Sequence, residues 1–102
     1  MYRYTTPTLP ITIADIDFAD VQLFRIAIEQ GKTEILKIVD SDDESVDAET
    51  NTIYVPLTQE ETAAFEKGNG YVQARVKFNS GSVLATNKAK VSVYDVLDEV
   101  II

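Results

Sequence analysis

The sequence predicts an all-β fold: an immunoglobulin-like antiparallel β-sandwich of about seven strands with one short helical turn, and a small open barrel as the alternative. Three observations carry this. Apolar residues recur with period two along most of the chain, which is the spacing of half-buried strands rather than helices. Turn residues, among them Gly31, Gly68, Gly70 and Gly81, separate those runs. A capping box, the signature of a helix start, occurs at Thr58 to Glu61. At 102 residues the chain has room for a single core, so residues 1–102 are read as one domain, with 94–102 as a candidate docking tail.

Each element follows from its local pattern. Leu9, Ile11 and Ile13 alternate with Thr8, Pro10 and Thr12, an opening strand that Pro10 marks as an edge because proline cannot donate to a ladder. Asp15, Asp17 and Asp20 suit the turn that follows, since aspartate side chains accept from nearby backbone amides. Phe24, Ile26 and Ile28 alternate with Arg25, Ala27 and Glu29 in a strand over about 21–30. Gln30-Gly31 then turns into a second strand over about 33–39, with Leu36 and Ile38 as one candidate inward face. After the polar stretch 40–51, with a very short strand around Val46, Ile53, Val55 and Leu57 form another strand. Pro56 places it at an edge or a strand end.

Thr58-Gln59-Glu60-Glu61 starts a helix expected over about 59–66, ended by a glycine cap at Gly68-Asn69-Gly70. Val72, Ala74, Val76 and Phe78 alternate with Gln73, Arg75 and Lys77 in a strand over 72–78, and Asn79-Ser80-Gly81-Ser82 turns into the last strand region, over about 83–93, interrupted in its apolar pattern near Asn87 and Lys88. The core expected from this pattern is aliphatic, with Phe18, Phe24, Phe65 and Phe78 as its bulk.

Composition excludes most chemistry. The chain has no Cys, no His and no Trp. Disulfides, thiolate nucleophiles, imidazole bases, Ser-His-Asp triads and the common zinc and haem ligations are therefore closed to it. Neither catalytic residues nor a cofactor is predicted. Nine Lys and Arg against 17 Asp and Glu give a net charge of −8, which disfavours nucleic acid and anionic membrane surfaces. The N-terminal residues lack the apolar run of a signal peptide and no window reaches the length of a spanning helix, so the chain is expected to be cytoplasmic as synthesised.

Three features are candidate sites. The acidic segment 40–49 holds six of the 17 acids, and Asp40, Asp42 and Glu44 fall at the first, third and fifth positions of an EF-hand loop. Ser45 stands where that loop needs glycine and Asn51 where it needs a bidentate glutamate, so a solvated crossover is favoured over a calcium site. Asp15 and Asp17 could form the carboxylate pair of a glycosidase, but turn chemistry alone accounts for them. Tyr54 and Tyr71 are out of phase with the apolar faces of their strands and are candidates for protein contact. At the C-terminus, Val93, Val96, Leu97, Val100 and Ile101 follow a helical stripe, and Val96, Leu97, Val100 and Ile101 are candidates to dock on a partner or neighbouring subunit.

The run Ile53-Tyr54-Val55-Pro56-Leu57-Thr58-Gln59-Glu60-Glu61-Thr62, followed by Phe65, resembles small proteins encoded in prophage tail regions of Firmicutes. The Gln30-Gly31 hairpin, the Val72-to-Phe78 strand with Arg75 and the closing Asp98-Glu99-Val100-Ile101 fit the same resemblance, which covers the chain from about Thr6 onward. The resemblance implies a non-enzymatic, tail- or baseplate-associated structural protein, virion-associated, whose partners are other proteins. It supplies no catalytic residues. A calcium- or carbohydrate-binding sandwich module is the alternative function, and homo-oligomerisation is open.

Overall fold

A computed structural model describes residues 1–102. The elements in chain order are β1 (Thr8–Thr12), β2 (Val21–Gln30), β3 (Thr33–Asp40), β4 (Val46–Asp47), β5 (Thr52–Pro56), α1 (Gln59–Ala63), β6 (Gly68–Phe78), β7 (Val83–Ala85) and β8 (Ala89–Val93), with a 3-10 turn at Phe18–Asp20 before β2. They form two antiparallel sheets, β1-β5-β4 and a larger one of order β3-β2-β6-β7, with β8 also on β6. In immunoglobulin lettering the small sheet takes strands B, E and D and the large one C′, C, F and G. The sandwich predicted from the sequence is the architecture observed.

The alternating residues of β2 and β6 build the core. Phe24, Ile26 and Ile28 face Val76, Ala74 and Val72 across the β2–β6 register. Ile53, Val55 and Leu57 bury their side chains from the small sheet, and Phe18 and Phe65 close the ends. Phe78 packs against this cluster without being fully buried. The Phe18 and Phe24 rings stand 4.9 Å apart and tilted by 53°, a favoured aromatic geometry.

Local chemistry sets the boundaries. At the β2–β3 hairpin Gln30 pairs with Thr33, leaving a two-residue loop whose first residue, Gly31, has φ +58°. That is the glycine position of a type II′ turn. Thr58 Oγ1 accepts from the Glu61 amide at 3.1 Å while Glu61 Oε1 accepts from the Thr58 amide at 2.9 Å, closing the predicted capping box. The helix is shorter than expected, ending at Ala63. The glycines at 68 and 70 belong to β6 instead of a helix cap, so that strand starts four residues earlier than its alternation indicates. A Cβ at residue 70 would lie 3.0 Å from the Glu29 carbonyl, so glycine there lets β6 pass close to the end of β2.

Tertiary pairing settles the phase of β3 and the interruption of the last strand region. Ile35, Lys37 and Val39 lie opposite Ile28, Ile26 and Phe24, so they form the inward row of β3, and Leu36 and Ile38 point outward. Lys37 on this row reaches α1, its Nζ 2.8 Å from Glu61 Oε2, and an inward charge on an edge strand discourages further strand pairing. The last strand is broken. β7 and β8 lie along the same side of β6 with the register stepped by one residue, Arg75 opposite Ala85 but Val72 opposite Ala89. Thr86 fills the break: its amide donates to the Ala74 carbonyl at 2.9 Å and its Oγ1 accepts from the Ala74 amide at 3.0 Å. Beyond β8 the N-terminal residues add a parallel bridge, Tyr2 to Tyr94, with the Tyr94 amide donating to Met1 at 2.8 Å and the Arg3 amide to Tyr94 at 2.9 Å.

Truncating the fully buried Phe24 to Ala is expected to cost about 3–5 kcal/mol, and Thr58→Ala about 1 kcal/mol through loss of the cap. Equilibrium urea unfolding of each variant measures both.

Candidate protein-interaction face

The residues marked in the sequence do not converge. Tyr54 lies opposite Pro10 on the outward side of the small sheet, whereas Tyr71 lies between Glu29 and Lys90 on the outward side of the large one. Both rings are exposed as expected, but on opposite faces of the sandwich. Val96 is half-buried and Leu97, Val100 and Ile101 are exposed. The helix their spacing suggests does not form: residues 95–102 have no regular secondary structure. Asp95, Asp98 and Glu99 would oppose a helix dipole, and Arg3 draws two of them elsewhere, its Nη1 lying 3.0 Å from Asp95 and 3.1 Å from Glu99. Nη2 of the same arginine donates to the Ala63 carbonyl at 3.1 Å. Gln59 brackets the chain end, donating to the Ile102 carbonyl at 2.7 Å and accepting from its amide at 3.0 Å. The tail is thus fastened back onto α1.

Asp40 ends β3, while Asp42 and Glu44 stand exposed in the crossover to β4. The organised carboxylate there is Asp43, which accepts from the Ser45 amide at 2.9 Å and its hydroxyl at 2.7 Å. Those bonds, the amide's first, hold its pKa below the usual aspartate value. Asp40, Asp42 and Glu44 are not brought together as a cation-binding set: no group of three or more acidic side chains is arranged to hold a metal ion.

The outward face of the large sheet is organised differently. Its registers set side by side Ile38–Arg25–Arg75–Ala85, then Asp40–Leu23–Lys77–Val83, then Leu36–Ala27–Gln73. Leu36, Ile38 and Val83 are 41%, 59% and 53% exposed, and Leu23, Arg25, Arg75, Lys77 and Val83 line one shallow hollow. Lys90 continues the face beside Tyr71, and Lys88 lines a second hollow with Ala27, Tyr71 and Gln73. Five of the nine cations therefore lie on this one surface, with the acids Glu29, Glu34 and Asp40 along its β3 side and lower rows. Arg25 and Arg75 are directly opposite one another, and like charges so placed are unfavourable in a sheet. The ion pairs of the molecule engage only Arg3 and Lys37, so neither arginine has a carboxylate partner.

Of this face only Tyr71 stands out in the sequence. The cations are scattered along the chain, and only the registers of three adjacent strands bring Arg25, Arg75 and Lys77 together. The available signal is the outward phase of each strand, and in β3 the apolar Leu36 and Ile38 obscure that phase. Comparison with known proteins returns no matching family model, no similar curated protein and no similar solved structure. No helix is long and apolar enough to cross a membrane.

Electrostatics on the inner side carries a pH dependence. Partial burial of Glu61 works to raise its pKa, but the Lys37 hydrogen bond and the Thr58 amide outweigh it and the net displacement is downward. A carboxylate with a depressed folded pKa contributes stability above its unfolded pKa and loses it as pH falls through the folded one. Stability is therefore expected to fall on acidification below the ordinary glutamate value of 4.5, less steeply in Glu61→Gln. Urea midpoints of the two proteins across that pH range make the comparison.

Proposed function

We propose that this chain is a non-enzymatic protein-binding module whose contact surface is the outward face of its five-stranded sheet. The observation that carries the reading is the opposed Arg25–Arg75 pair, without acidic partners and set among exposed Leu36, Ile38 and Val83. Such an arrangement weakens the isolated sheet and suits association, because arginine and apolar side chains together are what contact surfaces enrich. The absence of Cys and His from the chain supports a binding role over catalysis.

The resemblance of residues 53–62 to prophage tail-region proteins supports a finer reading, in which the module works within a phage tail or baseplate and is carried in the virion. The test pairs purified virions with a face variant. Mass spectrometry is expected to find the chain in the particles, and a tail protein that co-purifies with it is expected to bind Ile38→Asp/Arg75→Glu at least about tenfold more weakly in calorimetry, a loss of about 1.4 kcal/mol. Absence from virions contradicts the tail assignment. Undiminished binding by the variant contradicts the face.

A further inference from the structure

We propose that the sheet face receives a second copy of this chain, which enters with its acidic 40–49 crossover. The inference rests on the reading of the face as a protein-binding surface and names its occupant. The chain supplies both halves of a complementary contact. Six carboxylates, Asp40, Asp42, Asp43, Glu44, Asp47 and Glu49, are concentrated in one crossover, and Arg25, Arg75, Lys77, Lys88 and Lys90 are gathered on one sheet face. Neither set is neutralised within the molecule: the only ion pairs are those of Arg3 with Asp95 and Glu99 and of Lys37 with Glu61.

The fold keeps most of the two sets apart; the exception is Arg25, which lies diagonal to Asp40 on the same face. The crossover leaves β3 at one edge of the sheet, while Arg75, Lys77, Lys88 and Lys90 belong to β6 and the segment on its far side. Even the nearest pair in one row, Asp40 and Lys77, is separated by Leu23 on the intervening strand. Two strand spacings amount to about 10 Å, close to the screening length at physiological salt. A neighbouring molecule has no such restriction. Because the acidic crossover beyond Asp40 and the basic rows of the sheet are different parts of the molecule, the contact is heterologous and repeats head to tail, giving chains or rings rather than a closed two-fold dimer. The crossover offers little apolar surface beyond Val46 and Ala48, so the association is electrostatic and salt-sensitive.

Sedimentation velocity on the full chain tests this with two charge variants. Arg25→Glu/Arg75→Glu reverses the opposed pair and leaves one like-charge pair in place of another. Asp42→Lys/Glu44→Lys/Glu49→Lys cancels the charge of the crossover, from −6 to zero, and spares Asp43, which holds the turn. The wild type is expected to gain mass with concentration at low salt and to return to its 11.3 kDa monomer as salt is added. Each variant alone is expected to stay monomeric, and their equimolar mixture to associate again. Arg25→Gln/Arg75→Gln, expected to lose association as well, replaces the first variant if that one does not fold. A wild type that remains monomeric at every concentration in low salt overturns the proposal, as does a mixture of folded variants that fails to associate. If the face variant still loses a virion partner while the wild type is monomeric, the protein-binding reading stands and the second copy is excluded.

Discussion

The register of β2 between β3 and β6 decides which side chains enter the core and which make up the outward face of the large sheet. From Leu23 to Glu29 this strand is paired on both sides, so its position is set twice over. Phe24, Ile26 and Ile28 enter the core, and Arg25, Ala27 and Glu29 form the middle of the outward face. Because side chains alternate with a period of two, a slip by one residue would exchange those sets, burying Arg25 and Glu29 and exposing Phe24. Burying unpaired charges costs several kcal/mol each, a large part of the stability of a domain this size. The core thus fixes the face. The opposition of Arg25 to Arg75 is set by the same pairing that brings Phe24 and Val76 together.

Without the disulfide and indole that commonly pin such sandwiches, the two sheets are tied at their ends by distributed polar contacts. Thr62, fully buried, accepts from the Thr5 amide at 3.1 Å and donates to the Thr5 carbonyl at 2.9 Å, joining α1 to the N-terminal crossing. Asn51, at φ +50°, donates to the carbonyls of Ile13 and Ile16 at 3.1 and 2.9 Å and holds the start of β5 against the β1–β2 connection. Edges are managed separately: Pro10 lies in the edge strand β1, and Lys37 turns inward on β3. These devices leave the outward face of the large sheet free of structural duties, and that is where the cations collect.

The parts of the fold legible in the sequence are those determined locally. The β2 strand, its glycine turn into β3 and the Thr58–Glu61 box are each specified by residues within a few positions of one another, and each lies where the pattern puts it. What could not be read was determined at a distance. Gly68 and Gly70 look like a helix cap until β2 is known to pass beside them. Leu36 and Ile38 look inward because they are apolar, yet the partners of Ile35 and Val39 on β2 decide the phase, and Lys37 follows inward because Glu61 is there to receive it. The C-terminal stripe has helical spacing, but Arg3 and Gln59 hold that segment in another conformation. The cationic outward face of the large sheet was the least legible feature, since no stretch of the chain contains it.

The β2–β6 register holds Arg25 opposite Arg75 with no carboxylate on either, a like-charge pairing that costs the sheet stability. The equilibrium unfolding free energy of Arg75→Glu against the wild type measures that cost. The measurement belongs at dilutions where both are monomeric and at physiological ionic strength, where long-range repulsion is damped. Replacing a like-charge pair by an opposite-charge one should raise stability by about 0.2–1 kcal/mol. A variant less stable than the wild type would show that Arg75 serves the fold itself and that the opposed pair is no burden on the sheet.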